Sequence, residues 1–320
     1  MLHGWIVLDK PVGLGSTQAV SAVKRALREA GEPRTKVGHG GTLDPLASGV
    51  LPIAIGEATK LAGRMLDASK DYEFTIRFGE ETDTLDAEGQ VVATSDERPG
   101  RQEIEAVLGR FTGAIEQVPP AYSALKIAGK PAYARTRAGE APAMNARQVT
   151  VHELKILPAR EAGAEGDQAQ DAGEVHSITL AATVSKGTYI RSLARDIARA
   201  LGSVGHVVML RRTRAGPFTL EMAISLDKLG EVAKARTLDG AVLPLTAGLD
   251  DIPALPVTPE QASLLRQGRR LTGNPAPGPD RSTALMGPKP GLHLAVDAGR
   301  PVALVEVSAG DVRVVRGFNL

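Results

Sequence analysis

A glycine-rich run that contains one aspartate and one proline constrains this chain more than any other stretch. Residues 38–49 read Gly-His-Gly-Gly-Thr-Leu-Asp-Pro-Leu-Ala-Ser-Gly and lead into an apolar stretch at 50–55. Because glycine lacks a Cβ and tolerates positive φ, this backbone can approach a ligand closely. Pro45 fixes its own φ and drives Asp44 towards an extended conformation. The pattern therefore predicts a stiff loop that presents the Asp44 carboxylate as a reactive group.

An ordinary turn is the alternative interpretation of Asp44, because Asp-Pro pairs with neighbouring glycines are common in turns. The run is not a P-loop, since no Gly-Lys-Ser/Thr ends it, and it holds no Gly-x-Gly-x-x-Gly of the dinucleotide-binding kind. Taken alone, the stretch does not decide between a structural turn and a catalytic loop.

Composition excludes several classes of protein. The 320 residues carry 38 Lys and Arg against 37 Asp and Glu, so the net charge of +1 gives no overall sign of nucleic-acid binding. The absence of cysteine excludes disulfides, thiolate metal sites and a thiol nucleophile. None of the six histidines has the spacing of a metal motif, so no metal site is expected. Neither a signal peptide nor an apolar run of about 18 residues occurs, which predicts a cytoplasmic protein without a membrane span.

Hydrophobic periodicity predicts a mixture of helices and strands in the first 249 residues. Residues 5–8 read as a short buried strand, and Ser16 as the N-cap of a helix that continues to Ala30. Residues 71–78 alternate between apolar and polar side chains, which is typical of a half-buried strand. Further strands and helices are predicted at 51–55, 57–65, 101–111, 148–157, 175–185 and 189–201.

Two segments depart from this pattern. Residues 158–174 are rich in Ala, Gly and acids and read as a surface insertion to which we assign no function. From about residue 250 the chain becomes Pro-rich, with a capping box at 258–261 and three short strands between 292 and 318. We therefore expect a larger domain at 1–249 and a small β domain at 250–320.

Positive charge is concentrated locally. A first group lies on the predicted helix from Ser16 and beyond it: Lys24, Arg25, Arg28, Arg34 and Lys36. A second group lies at 186–218, where Asp196 is the only acid: Lys186, Arg191, Arg195, Arg199, Arg211, Arg212 and Arg214. Residues 117–139 also lack acids and contain Tyr122 and Tyr133, which suits contact with phosphates and bases. The second group predicts a patch that neutralises RNA phosphates; the alternative is that its arginines pair with acids of the protein itself.

Six motifs in order along the chain resemble those of the TruB family of pseudouridine synthases. Residues 38–49 resemble the active-site motif of the family. The other five are Asp9-Lys10-Pro11 with Gly13 and Ser16, Lys70-Asp71-Tyr72, Gln-Val-Pro-Pro-Ala-Tyr-Ser-Ala-Leu-Lys at 117–126, Gly-Thr-Tyr-Ile-Arg-Ser-Leu-Ala-Arg-Asp at 187–196, and Leu-Arg-Arg-Thr at 210–213 followed by Gly216-Pro217-Phe218. Six ordered matches spread over residues 9–218 make the resemblance highly specific.

The resemblance implies a fold, a reaction and a partner. The fold would be α+β, with a mixed, mainly antiparallel sheet flanked by helices in residues 1–249, and a PUA-like RNA-binding β domain in residues 250–320. The reaction would convert uridine to pseudouridine at position 55 in the TΨC loop of tRNA, without a metal or an organic cofactor. The partner would be the T-arm stem-loop of tRNA, bound by a monomer that needs neither a protein partner nor a membrane.

Two residues are implied to carry the chemistry. The C1′–N1 glycosidic bond must break, the uracil must rotate while it is held, and C5 must bond to C1′. Asp44 is the implied nucleophile, and its attack at C1′ and its attack at C6 both remain open. Arg191 is implied to pair with Asp44, which keeps the carboxylate ionised and oriented.

Four more residues are implied to contact the substrate. Tyr72 would stack on the uracil, Leu210 would pack against it, and Tyr189 would lie over the base or sugar and shuttle a proton. His39 would fill the space that the uridine leaves in the loop when it is flipped out. Without the resemblance, Tyr72 reads as a core residue and His39 as a structural residue of the turn.

Two other functions remain as alternatives. A non-catalytic tRNA-binding or RNA-folding protein could keep the fold, but it gives no reason for the combination of Asp44, Tyr72, Tyr189 and Arg191. A guide-RNA-dependent synthase of the dyskerin type is the second alternative. The complete segment around Tyr122, which would read tRNA directly, favours the stand-alone enzyme.

Overall fold

The computed structural model describes residues 1–127, 129–140, 143–158, 173–272, 289–308 and 310–320. The insertion predicted at 158–174 lies outside the described residues, apart from residues 158, 173 and 174. Among the helices in these ranges, none is both long and apolar enough to span a membrane.

The described chain contains both strands and helices. The strands are β1 (Gly4–Lys10), β2 (Val37–His39), β3 (Ser48–Ile55), β4 (Lys70–Phe78), β5 (Glu80–Thr82), β6 (Val91–Thr94), β7 (Gly113–Gln117), β8 (Lys126–Ile127), β9 (Lys130–Pro131), β10 (Arg147–Ile156), β11 (Ser177–Val184), β12 (Gly205–Ala215), β13 (Phe218–Thr219), β14 (Leu243–Pro244), β15 (Ala254–Pro256), β16 (Leu271–Thr272), β17 (Gly291–Asp297), β18 (Arg300–Ser308) and β19 (Asp311–Gly317). The α-helices are α1 (Ser16–Glu29), α2 (Ala62–Asp67), α3 (Arg101–Leu108), α4 (Ala132–Arg137), α5 (Ile190–Ala200), α6 (Leu226–Lys234) and α7 (Pro259–Arg266).

A mixed sheet of ten strands organises the larger part of the molecule. Its order is β14-β1-β3-β12-β4-β11-β10-β7, with β2 paired to β3 and β13 paired to β12. Only β3 and β12 run parallel; the other pairings in this sheet are antiparallel. The predicted α+β fold with a mixed, mainly antiparallel sheet is therefore confirmed.

Apolar side chains from helices and strands form a core against this sheet. Helix α1 buries Val20, Val23 and Leu27, and helix α5 buries Leu193 and Ile197. These side chains belong to one cluster with apolar residues of β1, β3, β4 and β12. Because α5 is anchored along its apolar stripe, the residues of its first turn have fixed positions at the sheet.

A second sheet follows in the C-terminal part, with the strand order β15-β17-β18-β19-β16. Helix α7 packs on it through Ala262 and Leu265. The predicted capping box opens this helix, since Gln261 N–H donates to Thr258 Oγ1 at 3.3 Å and Thr258 N–H donates to Gln261 Oε1 at 3.0 Å. This part is the small β unit expected after residue 250, and the boundary between 249 and 250 stays a prediction.

The two sheets share an apolar contact. Trp5 of the first sheet and Phe218 of β13 lie in one cluster with Leu304 and Phe318 of the C-terminal part. Lys60 Nζ also donates to the carbonyl of Gly317 at 2.9 Å. The C-terminal sheet is thus packed against the main sheet at the side of β1 and β13.

Two local predictions need correction. Ser16 is not the N-cap of α1 but its first residue, and Gly15 precedes the helix with its N–H donating to Gln18 Oε1 at 2.8 Å. The Ser16 hydroxyl is used elsewhere, on the backbone of Leu43, which explains why it does not cap. The predicted helix at 57–65 is a 3₁₀ segment, Gly56–Leu61, that continues into α2.

Candidate active site

The Asp44 loop connects β2 to β3, which pair with each other. Two of its glycines are required by packing inside the protein. A Cβ on Gly40 would lie 2.7 Å from the Met65 Cβ, and a Cβ on Gly49, where φ is +100°, would collide with the backbone of Arg212. Gly49 lies where β3 meets β12. These glycines therefore allow the loop to pack closely against α2 and β12, rather than against a ligand.

Arg212 holds the loop from inside the protein, with 1% of its surface exposed. Its guanidinium donates to the carbonyls of Val50 at 2.8 Å, Gly41 at 3.2 Å and Thr42 at 3.3 Å. A planar group with five donors is suited to binding several carbonyls at fixed angles. Arg212 was predicted as a phosphate contact, but the structure uses it to fix the backbone that leads to Asp44.

The N-terminal motif holds the loop from the other side. Ser16 Oγ donates to the Leu43 carbonyl at 2.9 Å and accepts from the Leu43 N–H at 2.8 Å. Lys10 is fully buried and its Nζ donates to the carbonyls of Pro11 at 2.9 Å, Leu14 at 2.7 Å and Pro45 at 3.3 Å. Burial lowers the pKa of Lys10 to about 8, against the opposing effect of the nearby negative charges. Residues on both sides of Asp44 are therefore tied to the first turn after β1.

Replacement of Lys10 by methionine should destabilise the fold, because three partly buried carbonyls lose their common donor. We expect Lys10→Met to lower the free energy of unfolding by about 1–3 kcal/mol, the usual cost of an unsatisfied buried polar group. Urea unfolding of the variant and the wild type measures this difference in free energy. Lys234→Met, at an exposed lysine with no ion partner among the described residues, should stay within about 0.5 kcal/mol of the wild type. Equal effects of the two substitutions would contradict this role of Lys10.

Arg191 lies in the first turn of α5 and forms the predicted ion pair with Asp44. Its Nη2 lies 2.8 Å from Asp44 Oδ2, and the Arg191 side chain is 6% exposed while that of Asp44 is 36% exposed. Gln117 anchors the start of this helix, because its amide accepts from the Tyr189 N–H at 2.8 Å and donates to the Tyr189 carbonyl at 3.1 Å. A buried arginine thus fixes one oxygen of a partly exposed carboxylate.

A second carboxylate, which the sequence analysis missed, also binds Arg191. Asp86 is 2% exposed and its Oδ2 lies 3.2 Å from Arg191 Nη1. Arg191 further donates to the carbonyls of Thr84 at 2.7 Å and Tyr122 at 3.0 Å. Both terminal nitrogens of the guanidinium therefore have partners other than Asp44.

The turn that carries Asp86 is strained. Leu85 has φ of +62°, a left-handed conformation that residues other than glycine seldom adopt. Such strain persists only where surrounding contacts impose it, and it is frequent at functional sites. Here Ala87 N–H donates to the Val207 carbonyl at 3.0 Å, which ties the turn to β12. The sequence does carry a signal for Asp86, an acidic loop with five acids at 80–88, but no local pattern links any of these acids to Arg191.

Five of the six predicted site residues line one cavity of about 430 Å³: Asp44, Tyr72, Tyr189, Arg191 and Leu210. Residues 123–126, from the segment predicted to read tRNA, form part of its wall. Cavities of this size accommodate small organic ligands. The structure therefore brings together, from four separate stretches of the chain, five of the site residues that the resemblance implied.

His39 does not line this cavity. It ends β2, and its Nδ1 accepts from the Gly41 N–H at 3.4 Å. Burial, followed by the positive charge of Arg212, lowers the pKa of His39 below its usual value, so the imidazole is neutral at pH 7. Lys70, which was not assigned a role, lines the cavity instead, and burial lowers its pKa to about 8.

The second basic group is neutralised within the protein. Five of its members pair with acids: Lys186 with Asp67 at 2.9 Å, Arg195 with Asp196 at 2.8 Å, Arg199 with Glu81 at 2.7 Å, Arg211 with Asp9 at 2.8 Å, and Arg214 with Asp71 at 2.6 Å. Arg191 and Arg212 have the partners described above. The expectation of an uncompensated basic patch at 186–218 is wrong, because acids lie beside these cations in the fold. Asp196 adjoins Arg195 in sequence, whereas the other four acids come from distant parts of the chain.

Glu88 adds a third acidic group near Asp44 and Asp86. Desolvation of its carboxyl group, followed by the negative charges of Asp86 and Asp44, raises the pKa of Glu88 above its usual value. The folded protein thus favours the protonated form of Glu88. The contribution of this group to the free energy of unfolding is fully present below its unfolded pKa, about 4.5, and is lost as the pH rises through its folded pKa.

Glu88→Gln should therefore raise the free energy of unfolding at pH 7 relative to the wild type, and the difference should shrink at pH 4. Urea unfolding at both pH values measures this. Glu116→Gln, at an exposed glutamate of β7, should show no such pH-dependent gain. A Glu88→Gln protein that is less stable than wild type at pH 7 would contradict the assigned direction of the pKa shift.

Solved structures with the same fold include chains of H/ACA ribonucleoproteins. An H/ACA RNP bound to a substrate RNA containing 2′-deoxyuridine aligns with a TM-score of 0.69 and 25% identity, over 99% of this chain and 85% of that chain. A chain of an archaeal box H/ACA sRNP complex aligns with a TM-score of 0.67 and 24% identity, over 98% of this chain and 85% of that one. The second likeness shows the fold alone.

Sequence relatives match over the full length. A tRNA pseudouridine synthase B of Novosphingobium aromaticivorans is 58% identical, over 100% of this chain and 98% of the relative. The tRNA pseudouridine synthase B of Zymomonas mobilis is 57% identical, over 99% of this chain and 96% of the relative. Residues 24–190 match the family model of the TruB family pseudouridylate synthase N-terminal domain, and residues 191–250 match that of the tRNA pseudouridylate synthase B C-terminal domain. With a family model over more than half of its length and relatives this similar, the chain belongs to the TruB family of pseudouridylate synthases.

Proposed function

We propose that this protein isomerises the uridine at position 55 in the TΨC loop of tRNA to pseudouridine, with Asp44 as the nucleophile. Its TruB membership makes it a tRNA pseudouridine synthase, an isomerase. The position in the tRNA and the role of Asp44 are the proposal. The observation that carries it is the pairing of a partly exposed Asp44 carboxylate with the buried Arg191 at the wall of a cavity of about 430 Å³.

The charge arrangement prepares Asp44 to act as a nucleophile. Arg191 binds Oδ2, whereas Oδ1 has no hydrogen-bond partner within the described residues. Asp86 and two carbonyls already fix the guanidinium. Arg191 can therefore orient Asp44 with little further loss of side-chain conformational entropy. One carboxylate oxygen is thus held by the protein and the other is left for the uridine.

The proposed reaction is an isomerisation and needs no co-reactant. The C1′–N1 bond breaks, C5 bonds to C1′, the proton on C5 leaves, and N1 of the product carries a proton. Asp44 either bonds to C1′ as the uracil leaves, or adds to C6 before the glycosidic bond breaks. Both routes end with release of the carboxylate, so both require an ionised Asp44 within reach of the base and sugar.

The remaining cavity residues suit the handling of a detached uracil. The ring of Tyr72 supplies a stacking surface, and Leu210, 6% exposed, supplies an apolar contact. Tyr189 carries a hydroxyl that can exchange a proton with the base. We propose that these three side chains keep the base in place while it rotates. His39, outside the cavity, is proposed to contact the RNA loop from which the uridine is flipped.

The reaction and its position can be tested together with a tRNA transcript that carries tritium on C5 of its uridines. Replacement of the C5–H bond by the C5–C1′ bond releases tritium to water. We expect the purified protein, with no added RNA or protein, to release one tritium per tRNA. A transcript with cytidine at position 55 should release none. Equal release from both transcripts would contradict the assignment of position 55.

The alternatives predict different results in the same assay. A non-catalytic RNA-binding protein releases no tritium at any concentration, and a guide-dependent synthase releases tritium only with a guide RNA present. The cytoplasmic location and the monomeric state stay predictions.

A further inference from the structure

A second groove, larger than the Asp44 cavity, lies between α1 and the segment that follows it. Its volume is about 880 Å³ and it is lined by Ser21, Lys24, Leu27, Arg28, Glu32, Pro33, Arg34, Thr35, Lys36 and Val37. We call it the α1 groove. Four of its lining residues are cations and one, Glu32, is an acid. It is therefore a positively charged cavity in a protein whose net charge is only +1.

The cations of the α1 groove differ from those of α5 and β12. Lys24, Arg28, Arg34 and Lys36 are all exposed, and none forms an ion pair or side-chain hydrogen bond with another described residue. Lys24 and Arg28 are one helical turn apart, a spacing at which like charges destabilise a helix. The positive charge of this groove is thus uncompensated within the described protein and available to an anionic partner.

The four cations form two rows along one cavity. Lys24 and Arg28 are four residues apart on α1, which places them about 6 Å apart along its axis. Arg34 and Lys36 lie two residues apart on the segment between α1 and β2, and both line the same cavity as Lys24 and Arg28. Repeated point charges at this spacing suit successive phosphates of a nucleic-acid strand better than a single small anion.

The groove is close to the Asp44 loop along the chain. Val37, at its end, opens β2, and β2 leads directly into the Gly-rich loop. Asp44 is eight positions after Lys36, so their Cα atoms can be at most about 27 Å apart. An RNA with one nucleotide in the Asp44 cavity therefore has other parts of its backbone within reach of the α1 groove.

We propose that the α1 groove binds the sugar-phosphate backbone of the tRNA whose uridine enters the Asp44 cavity. This rests on the proposed function for the identity of the RNA. The groove raises the affinity for tRNA and helps to position it, but it does not recognise bases, because phosphate contacts carry no sequence information. It thus takes the electrostatic role that the sequence analysis had given to residues 186–218.

Salt dependence of binding tests this proposal. Each neutralised phosphate contributes roughly 0.7–0.9 to the slope of log Kd against log salt concentration. We expect the double variants Lys24→Gln/Arg28→Gln and Arg34→Gln/Lys36→Gln each to reduce the slope for full-length tRNA by about 1.5, and the quadruple variant by about 3. The quadruple variant should also bind roughly tenfold or more weakly at the lowest salt concentration. Single-turnover pseudouridine formation at saturating tRNA should match that of the wild type.

Two controls separate a phosphate contact from a loss of folding or of total charge. Arg77→Gln/Arg110→Gln removes two exposed arginines without ion partners in the described parts of the chain, and it should leave the slope unchanged. Arg28→Lys/Arg34→Lys keeps the charges and should keep the slope. An unchanged slope and Kd in the quadruple variant, or an equal loss in the Arg77/Arg110 control, would overturn the proposal. A wild-type protein that binds tRNA but forms no pseudouridine at position 55 would instead overturn the proposed function.

Discussion

Asp44→Asn is expected to lower the rate of pseudouridine formation by roughly 10³-fold or more, as removal of a covalent nucleophile does in other enzymes. Asparagine has nearly the same shape, and its carbonyl oxygen can still accept from Arg191, but a neutral amide cannot attack C1′ or C6. Because Asp44 is at the wall of the cavity and partly exposed, folding and tRNA affinity should change little. Single-turnover tritium release and filter binding measure the two quantities separately.

Asp251→Asn provides the matched control for this substitution. Asp251 also pairs with an arginine, Arg64 at 2.9 Å, but its side chain is 65% exposed. The control should retain the wild-type rate and affinity, since an exposed ion pair contributes little. An Asp44→Asn rate within tenfold of the control would remove Asp44 from the role of nucleophile while leaving the family assignment intact.

Arg191→Met is expected to damage both stability and catalysis. Removal of one partner from a buried ion pair leaves the others uncompensated, and such losses are about 3–5 kcal/mol. Here Asp86, 2% exposed, would lose its cation and the carbonyls of Thr84 and Tyr122 would lose a donor. Asp44 would lose its orienting contact, which should reduce the rate by roughly 10²-fold or more. Urea unfolding and single-turnover tritium release measure the two effects.

Asp86→Asn keeps the test informative if Arg191→Met does not fold. It preserves shape and leaves Arg191 paired with Asp44 alone. We expect kcat to fall by about tenfold with little change in KM, because Asp86 fixes Arg191 and does not line the cavity. Wild-type stability in Arg191→Met, or wild-type kcat in both variants, would show that this ion network does not position Asp44.

The structural elements predicted correctly from the sequence are those with a contiguous motif or a periodic pattern of apolar residues. The Gly-rich run identified the Asp44 loop, the alternation at 71–78 predicted β4, and the periodicity at 189–201 predicted α5. The ordered motifs then named Arg191 as the partner of Asp44, and the structure contains that pair. Local patterns were sufficient for the loop, β4 and α5, because each of these lies within one stretch of the chain. The Asp44–Arg191 pair joins two distant stretches, and only the resemblance to the family implied it.

Contacts between distant parts of the chain could not be predicted in this way. Arg191 bonds to the Thr84 carbonyl across 107 residues, and Arg199 pairs with Glu81 across 118. The sequence therefore showed a basic segment and an acidic loop separately, and only the sheet places them side by side. For the same reason, the sequence did not identify Asp86 as a partner of Arg191. Ser16 was misread because its hydroxyl had a partner 27 residues away that no local rule reveals.

The most direct test of the central claim is carbodiimide mapping of pseudouridine on one unmodified tRNA transcript, incubated in parallel with the wild type and with Asp44→Asn. The carbodiimide adduct of pseudouridine stops reverse transcription at the modified position. The account predicts a stop at position 55 with the wild type and none with Asp44→Asn, although both proteins bind the transcript. A stop at position 55 with both proteins, or with neither, would contradict it.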